Sequence, residues 1–441
     1  SFGFDTNNPN GVHSLRIFHE YIDKNSGMRR MSNIRTEVNG IDLIQEYCKS
    51  NSLQTVLDMP STTYDKLTFI QKSGVKLDDG SYLKYADFED FNMRVAYQFE
   101  QSYTARSGVI RSIVQKWSDS KKTFRHLNRV RFSHDDLPVF ADLSIVQKSK
   151  TTTGVPMKFY TVQDAGLFDS PESYEIEMEL DNTRIGIGTE YNTVKSVVNA
   201  IRKFVRIIMS GLQGTNYPIS YSEQFNIQSE YMRLIHGPDY EPTKLRPRDF
   251  IGPSSYTLQI PNIMEQNEDS LVPNITKQYT VTEKADGDRT LLFINGEGNI
   301  YMINTNLSVI FTGAKTTVKN YYNSLIDGEH IKTNKHDETI NLYAAFDIYY
   351  INKKSTREFE FYSTQDDDID ATENNENKNN ETQKNKNNET QKNKKFDRLG
   401  FLKEFISGLK PQSVIKNSVC CISIMCKKFQ YATPSHSIFS C

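Results

Sequence analysis

The sequence predicts an α+β chain of two strand-rich domains, and three observations carry that expectation. Short β-rich runs alternating with turns fill residues 1–213, for example at 129–132, 140–147 and 174–180. A single helical period interrupts them near their end. A stretch rich in Pro, Tyr and charge, residues 218–253, then separates them from a second strand-rich block at 256–361.

In chain order, the helix comes from Val194, Val197, Val198, Ile201, Phe204, Val205, Ile208, Met209 and Leu212, which fall three or four apart and so line one face. Thr193 is placed to cap its start, and Gly211 or Gly214 to end it, so the helix is expected beneath a sheet. The domain boundary is set near residue 225, giving domains of 1–224 and 225–441. Within the second, residues 366–394 contain only Asp, Asn, Glu, Lys, Thr, Gln, Ile and Ala, and the octapeptide KNNETQKN occurs twice in succession at 378–393. No core can be built from it, so a disordered surface insertion is expected. Leu399, Leu402, Phe405, Ile406 and Leu409 then mark a short helix.

Composition bounds the function. The chain has 441 residues, 37% hydrophobic and 24% charged, as in a globular protein with room for two or three cores. A formal net charge of -2 leaves no general attraction for nucleic acid, so any must be held by local clusters of Lys and Arg. Cys48, Cys420, Cys421, Cys426 and Cys441 have no zinc-like spacing and fit a reducing compartment. No signal pattern opens the chain and no apolar run reaches bilayer length, so a cytoplasmic protein is expected.

The segment YTVTEKADGDR at 279–289 has an alternating strand leading to Lys284, a turn at Gly287 and an apolar strand leaving. A lysine amine attacks phosphorus only when neutral, which partial burial and nearby cations such as Arg289 favour. Lys-x-Asp-Gly alone also fits a surface lysine before a hairpin turn. Two later segments, LIDGE at 325–329 and YAAFDI at 343–348, change that balance. Together the three resemble, in order, motifs I, III and IIIa of the covalent nucleotidyltransferases, the capping guanylyltransferases and polynucleotide ligases.

The resemblance implies a role for each residue. Lys284 would attack the α-phosphate of GTP and hold GMP as a phosphoramidate, while Arg289 would contact ribose or phosphate. Glu329 would engage the ribose or a metal ion, Phe346 would stack on guanine, and Asp347 would lie near the metal or the nucleophile. Mg²⁺ or Mn²⁺ would neutralise phosphate charge. Phe346 could equally be ordinary core. Asn306, in the segment INTNLSVIFTG that looks like a nucleotide-pocket strand, could equally be a turn residue.

Upstream, Glu175, Glu177 and Glu179 alternate and therefore share one strand face. Such a face is either wet or shares a cation. A basic series of Lys122, Arg125, Arg129, Arg131 and Lys148 precedes it, with Arg129 and Arg131 on one face. These segments resemble the metal-dependent RNA triphosphatases of tunnel fold, most of all those of large DNA viruses. The resemblance implies an antiparallel β-tunnel whose glutamates bind metal and whose Arg125, Arg129, Arg131 and Lys148 clamp the triphosphate.

In that family a first strand ExExxFG carries two more metal-binding glutamates, and this sequence opens at SFG. Motifs IV and V and an oligonucleotide-binding fold are not found after Leu409, although residues 427–431 look like the strand before motif IV. A capping enzyme acting on GTP and the 5′-triphosphate or diphosphate end of RNA, in the cytoplasm, viral factory or virion, is the expectation. It involves no membrane, and any polymerase or methyltransferase partner is unassigned. The rivals are an ATP-dependent ligase that adenylates Lys284 and a catalytically incomplete module that only binds RNA ends.

Overall fold

The computed structural model describes residues 2–4, 10–23, 25–60, 67–241, 245–265, 270–275, 279–363 and 397–431. The insertion expected at 366–394 lies outside the described residues. The chain divides into two compact units, Ser1–Arg206 and Ile207–Cys441.

The first unit holds one antiparallel sheet of eight strands. These are β1 (Phe2–Phe4), β2 (Val12–Ile22), β3 (Arg29–Asn39), β4 (Leu67–Gly74), β5 (Gln98–Tyr103), β6 (Lys122–His134), β7 (Leu137–Lys148) and β8 (Ser173–Leu180). Their order is β8-β7-β6-β2-β3-β4-β5, and β1 pairs the end of β6. Strand alternation sends Leu15, Ile17, Val38, Phe69 and Phe124 to one side. Helices cover that side: α1 (Ile41–Ser50) supplies Leu43, Ile44 and Tyr47, and α2 (Leu53–Leu57) supplies Leu53 and Val56. Trp117, beyond α3 (Gly108–Gln115), closes the core and donates to the Tyr47 hydroxyl at 3.1 Å. The sequence reading found none of these three helices, which are too short for helical periodicity to show.

The other side of the sheet alternates into polar residues and is concave. Arg16 on β2 reaches Glu177 on β8 at 3.9 Å although β6 and β7 lie between their strands. Only a curled sheet lets side chains meet across two intervening strands. Strands β8 and β5 remain its unjoined edges among the described residues.

The amphipathic helix forms as expected, as α4 (Val194–Gln213). The division between units falls inside it, at 206/207, whereas the sequence placed it at 224/225. The Pro- and Tyr-rich stretch is also more than a crossing. It carries α5 (Tyr221–His236), capped by Ser220, which accepts from the Glu223 amide, and its Ile227, Tyr231 and Met232 enter the second core. Packing of α5 therefore draws the segment after α4 into the second unit.

That unit is built on β10 (Asp288–Ile294), β11 (Asn299–Asn304), β12 (Val309–Lys315), β13 (Ser324–Thr333) and β14 (Thr339–Ile351), introduced by the short β9 (Thr280–Thr282). Strands β15 (Lys354–Ser355) and β16 (Gln412–Ser413) edge the sheet, β17 (Ser423–Cys426) pairs in parallel with β14, and β18 (Phe429–Tyr431) pairs with β9. The order is β15-β14-β13-β10-β11-β12-β16. Both faces of β10 are buried, which explains its unbroken apolar run. Leu291 and Phe293 face the α5 side, while Leu292 and Ile294 face Leu402, Phe405 and Leu409 of α6 (Arg398–Leu409). Strand structure begins at residue 280 among the described residues, later than the expected 256. Among the described residues no helix is long and apolar enough to cross a membrane.

Candidate active site

Lys284 lies in the irregular segment between β9 and β10. Its setting differs from the expected partial burial: it is exposed and has no ion-pair partner among the described residues. Gly287 also serves a different purpose from a glycine-only turn. A Cβ there would lie 2.9 Å from the His330 carbonyl oxygen, so glycine is needed for close approach to β13.

Antiparallel pairing then gathers the other residues. Arg289 on β10 stands opposite Glu329 on β13, and Asp327 on β13 stands opposite Asp347 on β14. The β13–β14 register slips between Asp327 and Gly328, leaving Phe346 as the extra residue of a bulge that re-aims its ring. Arg289 lies 5.7 Å and Lys427 5.8 Å from the centre of that ring. Two cations over one half-buried ring mark a lined surface, and the ordinary-core reading of Phe346 does not hold.

Arg289 is held rigidly. Its Nε and Nη2 donate to Asp327 at 3.2 and 2.6 Å, and its Nη1 donates to the Pro253 carbonyl. Asp327 is fully buried and also accepts from the Tyr349 hydroxyl at 2.6 Å. Burial, and then the Asp327 charge, push the Tyr349 phenol far above its ordinary range, so it remains a donor. Gly328 completes the support, because a Cβ there would stand 2.6 Å from the Tyr343 ring.

Lys427 Nζ sits 3.7 Å from Glu329, whose buried Oε2 makes no hydrogen bond. The β9–β18 register pairs Thr282 with Phe429, so the ladder ends two residues before Lys284 and begins two residues after Lys427. Asp347 is engaged elsewhere: Arg398, at the start of α6, donates to it from Nε at 2.9 Å and Nη2 at 3.1 Å. Burial nevertheless raises the Asp347 carboxyl above its ordinary range. Asn306 is an exposed turn residue whose amide donates to Asn304 at 3.0 Å, and no hydrogen bond or ring contact joins it to the cluster among the described residues.

On the concave face of the first unit the expected acidic and basic residues do converge. Glu175 accepts from Arg125 and lies 3.0 Å from Lys148, and Glu179 lies 3.5 Å from Arg131. Asp142 on β7, 1% exposed, anchors both Arg129 at 3.2 Å and Arg131 at 2.7 Å. Farther round the curl, Glu37 takes Arg16 at 2.9 Å and Arg35 at 2.6 Å. Burial pulls the Arg35 guanidinium below its ordinary range while Glu37 opposes it, and Glu100 and Glu177 also act on it. Leu127 and Val146 are buried apolar residues of this face, and Phe140 and Ile70 also fall on it by register. Lys122 is not on it: by alternation it joins the helical side, buried beside Trp117.

Three glutamates spaced about 7 Å apart along a strand do not by themselves form a cage, and each is matched here by a cation. Among the described residues no group of three metal-ligating side chains is gathered anywhere.

Residues 267–436 match the family model described as mRNA capping enzyme, catalytic domain. A probable mRNA-capping enzyme of Acanthamoeba polyphaga mimivirus is 31% identical to this chain over 197 residues. That match covers 45% of the chain and 14% of the relative, so the chain spans a small part of that protein's length. The similarity to mRNA capping enzymes is carried by this segment.

The matched segment contains residues that sequence reasoning left without a role. Lys427 is one, and its place after an alternating strand was visible, but its neighbours in space come from three other strands. Asp327 is another. It sits within the recognised LIDGE motif, yet only the fold shows that it holds Arg289. Outside the segment, Asp142, Arg16, Arg35 and Glu37 were also missed, although Arg16 stands between the buried Leu15 and Ile17, and Arg35 and Glu37 alternate with the buried Ile34, Thr36 and Val38.

Proposed function

We propose that the second unit transfers GMP from GTP to the 5′-diphosphate end of RNA through Lys284. We infer further that the concave face of the first unit binds the RNA 5′-triphosphate and removes its γ-phosphate. The observation that carries the reading is the meeting of Arg289, Glu329, Phe346 and Lys427 beside the strand that delivers Lys284, all within the matched segment.

In the first step the Lys284 amine attacks the α-phosphorus of GTP, the bond to the β-phosphate oxygen breaks, and pyrophosphate leaves with those electrons. A terminal oxygen of the RNA diphosphate then attacks the same phosphorus. The P–N bond breaks and the lysine recovers its electron pair. Phe346 offers its face to the base, and Arg289, fixed by Asp327, presents its guanidinium without needing to be ordered on binding. The unbonded Oε2 of Glu329 fits a ribose hydroxyl or a divalent cation, and that cation would neutralise phosphate charge. Because Lys284 is exposed, the desolvation that helps an amine shed its proton has to arrive with the nucleotide.

For triphosphate removal, the chain's own residues account for phosphate binding: Arg129 and Arg131, oriented by Asp142, together with Arg125 and Lys148. Glu175, Glu177 and Glu179 are the carboxylates of that face, and the described residues alone do not fit a metal there.

Incubation with radiolabelled GTP and ATP, followed by denaturing electrophoresis, tests the reading. Covalent GMP in the wild type and none in Lys284→Arg is expected. Label from ATP alone would make the chain a ligase-type adenylyltransferase, and GMP retained by Lys284→Arg would exclude this lysine.

A further inference from the structure

A cavity of about 540 Å³ opens in the first unit and takes no part in the functions above; Glu20, Arg29, Lys121, Met157, Lys158 and Tyr160 line it. Three cations face one carboxylate. Glu20 pairs with Lys158 at 2.6 Å and stands 3.7 Å from Arg29, while Lys121 lies 5.6 Å from the centre of the Tyr160 ring. The single acid therefore cannot neutralise the wall, and the cavity keeps an excess positive charge. Arg29 is more than half exposed and Tyr160 is 45% exposed, so guanidinium and ring both remain open to a ligand.

Position gives this charge its meaning. The Glu20 amide donates to the Lys121 carbonyl at 2.8 Å, which extends the β2–β6 pairing past its last paired residues, His19 and Lys122. By alternation Lys121 falls on the same side of β6 as Arg125, Arg129 and Arg131. Lys121 and Arg125 are four positions apart, about 13 Å along the strand. The cavity therefore lies in line with the charged concave face, just beyond the Arg125–Glu175–Lys148 group.

We propose that this cavity is an RNA-strand site, holding the nucleotides that follow the 5′ end while the end itself occupies the concave face. Cations at a cavity rim bind phosphodiesters without reading sequence, and an exposed tyrosine ring accepts a stacked base of any kind. The inference rests on RNA being the substrate, as proposed above. Arg29 and Lys121 supply the phosphate contacts and Tyr160 the stacking surface. Lys158 is committed to Glu20.

The test compares three probes on the full chain: 5′-hydroxyl RNA, 5′-triphosphate RNA of the same sequence, and inorganic tripolyphosphate. Arg29→Gln with Lys121→Gln leaves the Lys158–Glu20 pair intact, and Tyr160→Ala is made separately. Loss of two phosphate contacts is expected to flatten the logarithmic salt dependence of RNA binding by about 1.4. Loss of stacking is expected to weaken both RNAs at least about fivefold. Tripolyphosphate affinity is expected to be unchanged, which also shows that the variants are folded.

Unchanged RNA affinity and salt slope in both variants would overturn the strand site and leave the triphosphate reading intact. Equal losses for RNA and tripolyphosphate would also overturn it, by making the cavity part of the phosphate site or of the fold. A wild type that binds 5′-hydroxyl RNA through these residues but ignores tripolyphosphate would instead sink the triphosphatase reading and support the strand site.

Discussion

Asp327→Asn tests how the second unit fixes its arginine. The wild-type carboxylate is fully buried and accepts three hydrogen bonds, two from Arg289 and one from Tyr349. Asparagine keeps the shape but has one acceptor oxygen and no charge. With that oxygen at the Oδ2 position, the bonds from Arg289 Nη2 and Tyr349 survive in weakened, neutral form, while the new amide group faces the Arg289 Nε–H, donor against donor. Losing one charge-assisted bond costs about 2 kcal/mol, and weakening two more brings the total to about 3 kcal/mol. The partial exposure of Arg289 keeps the figure below the full range for a broken buried pair. The chain's single tryptophan, Trp117, lies in the first unit, so fluorescence cannot report this change. Hydrogen exchange of the β10 and β13 amides can, and about a hundredfold loss of protection is expected if these strands open with the unit. Tyr349→Phe, which removes one bond and leaves the ion pair, should lose less. GMP-adduct formation should fall with Asp327→Asn even under conditions where the unit stays folded. A loss of protection under about fivefold, with adduct formation unchanged, would refute the claim that Asp327 orders Arg289.

Two further outcomes follow from buried ionisable groups. His19 is buried beside Trp117, and burial, with Lys122 adding to it, lowers its pKa from 6.5 to about 4. The folded state thus favours the neutral ring: its stabilising effect is complete above pH 6.5 and is lost as pH falls toward 4, amounting to about 3 kcal/mol in all. Urea midpoints read by Trp117 fluorescence should drop between pH 6.5 and 5 and flatten in His19→Leu; an equal drop in that variant would assign the effect elsewhere. Arg398→Ala leaves the mostly buried Asp347 without its bidentate partner and should destabilise the second unit by about 2–3 kcal/mol. Partial recovery in Arg398→Lys, measured by the same hydrogen exchange, is expected, and no loss in the alanine variant would show that the pair is dispensable.

Local signals decided what could be read from the sequence. The strands at 129–132, 140–147 and 174–180, the helix at 193–212 and the helix begun by Leu399 all carry their own period, and all appear in the structure. Helix α5 went unread because its buried Ile227, Tyr231 and Met232 are diluted by polar neighbours, and the prolines on either side suggested a crossing. Side-chain partnership was hidden for a different reason. Phe346 shows in sequence as one more residue of an apolar run, and only the bulge opposite Asp327 and Gly328 turns it toward Arg289 and Lys427. Lys427 is about eighty positions from Phe346 in the chain and acquires meaning only when β17 pairs with β14.

The two units solve the same electrostatic problem in the same way. Under the proposed function these arginines receive phosphate, and each must point one way before the ligand arrives, or ordering it will consume part of the binding energy. In the first unit Asp142, almost wholly buried, grips Arg129 and Arg131; in the second Asp327, wholly buried, grips Arg289. Each carboxylate lies within a strand whose neighbours are apolar, FADLSIV in one case and SLIDGEH in the other. Such a setting would be costly for a lone charge and is tolerable only because the guanidinium is present to match it. A buried aspartate in an apolar strand therefore implies an arginine close by, across the sheet for Asp142 and Asp327 and at the start of α6 for Asp347. That rule can be applied to sequence, but it needs the register to say which arginine.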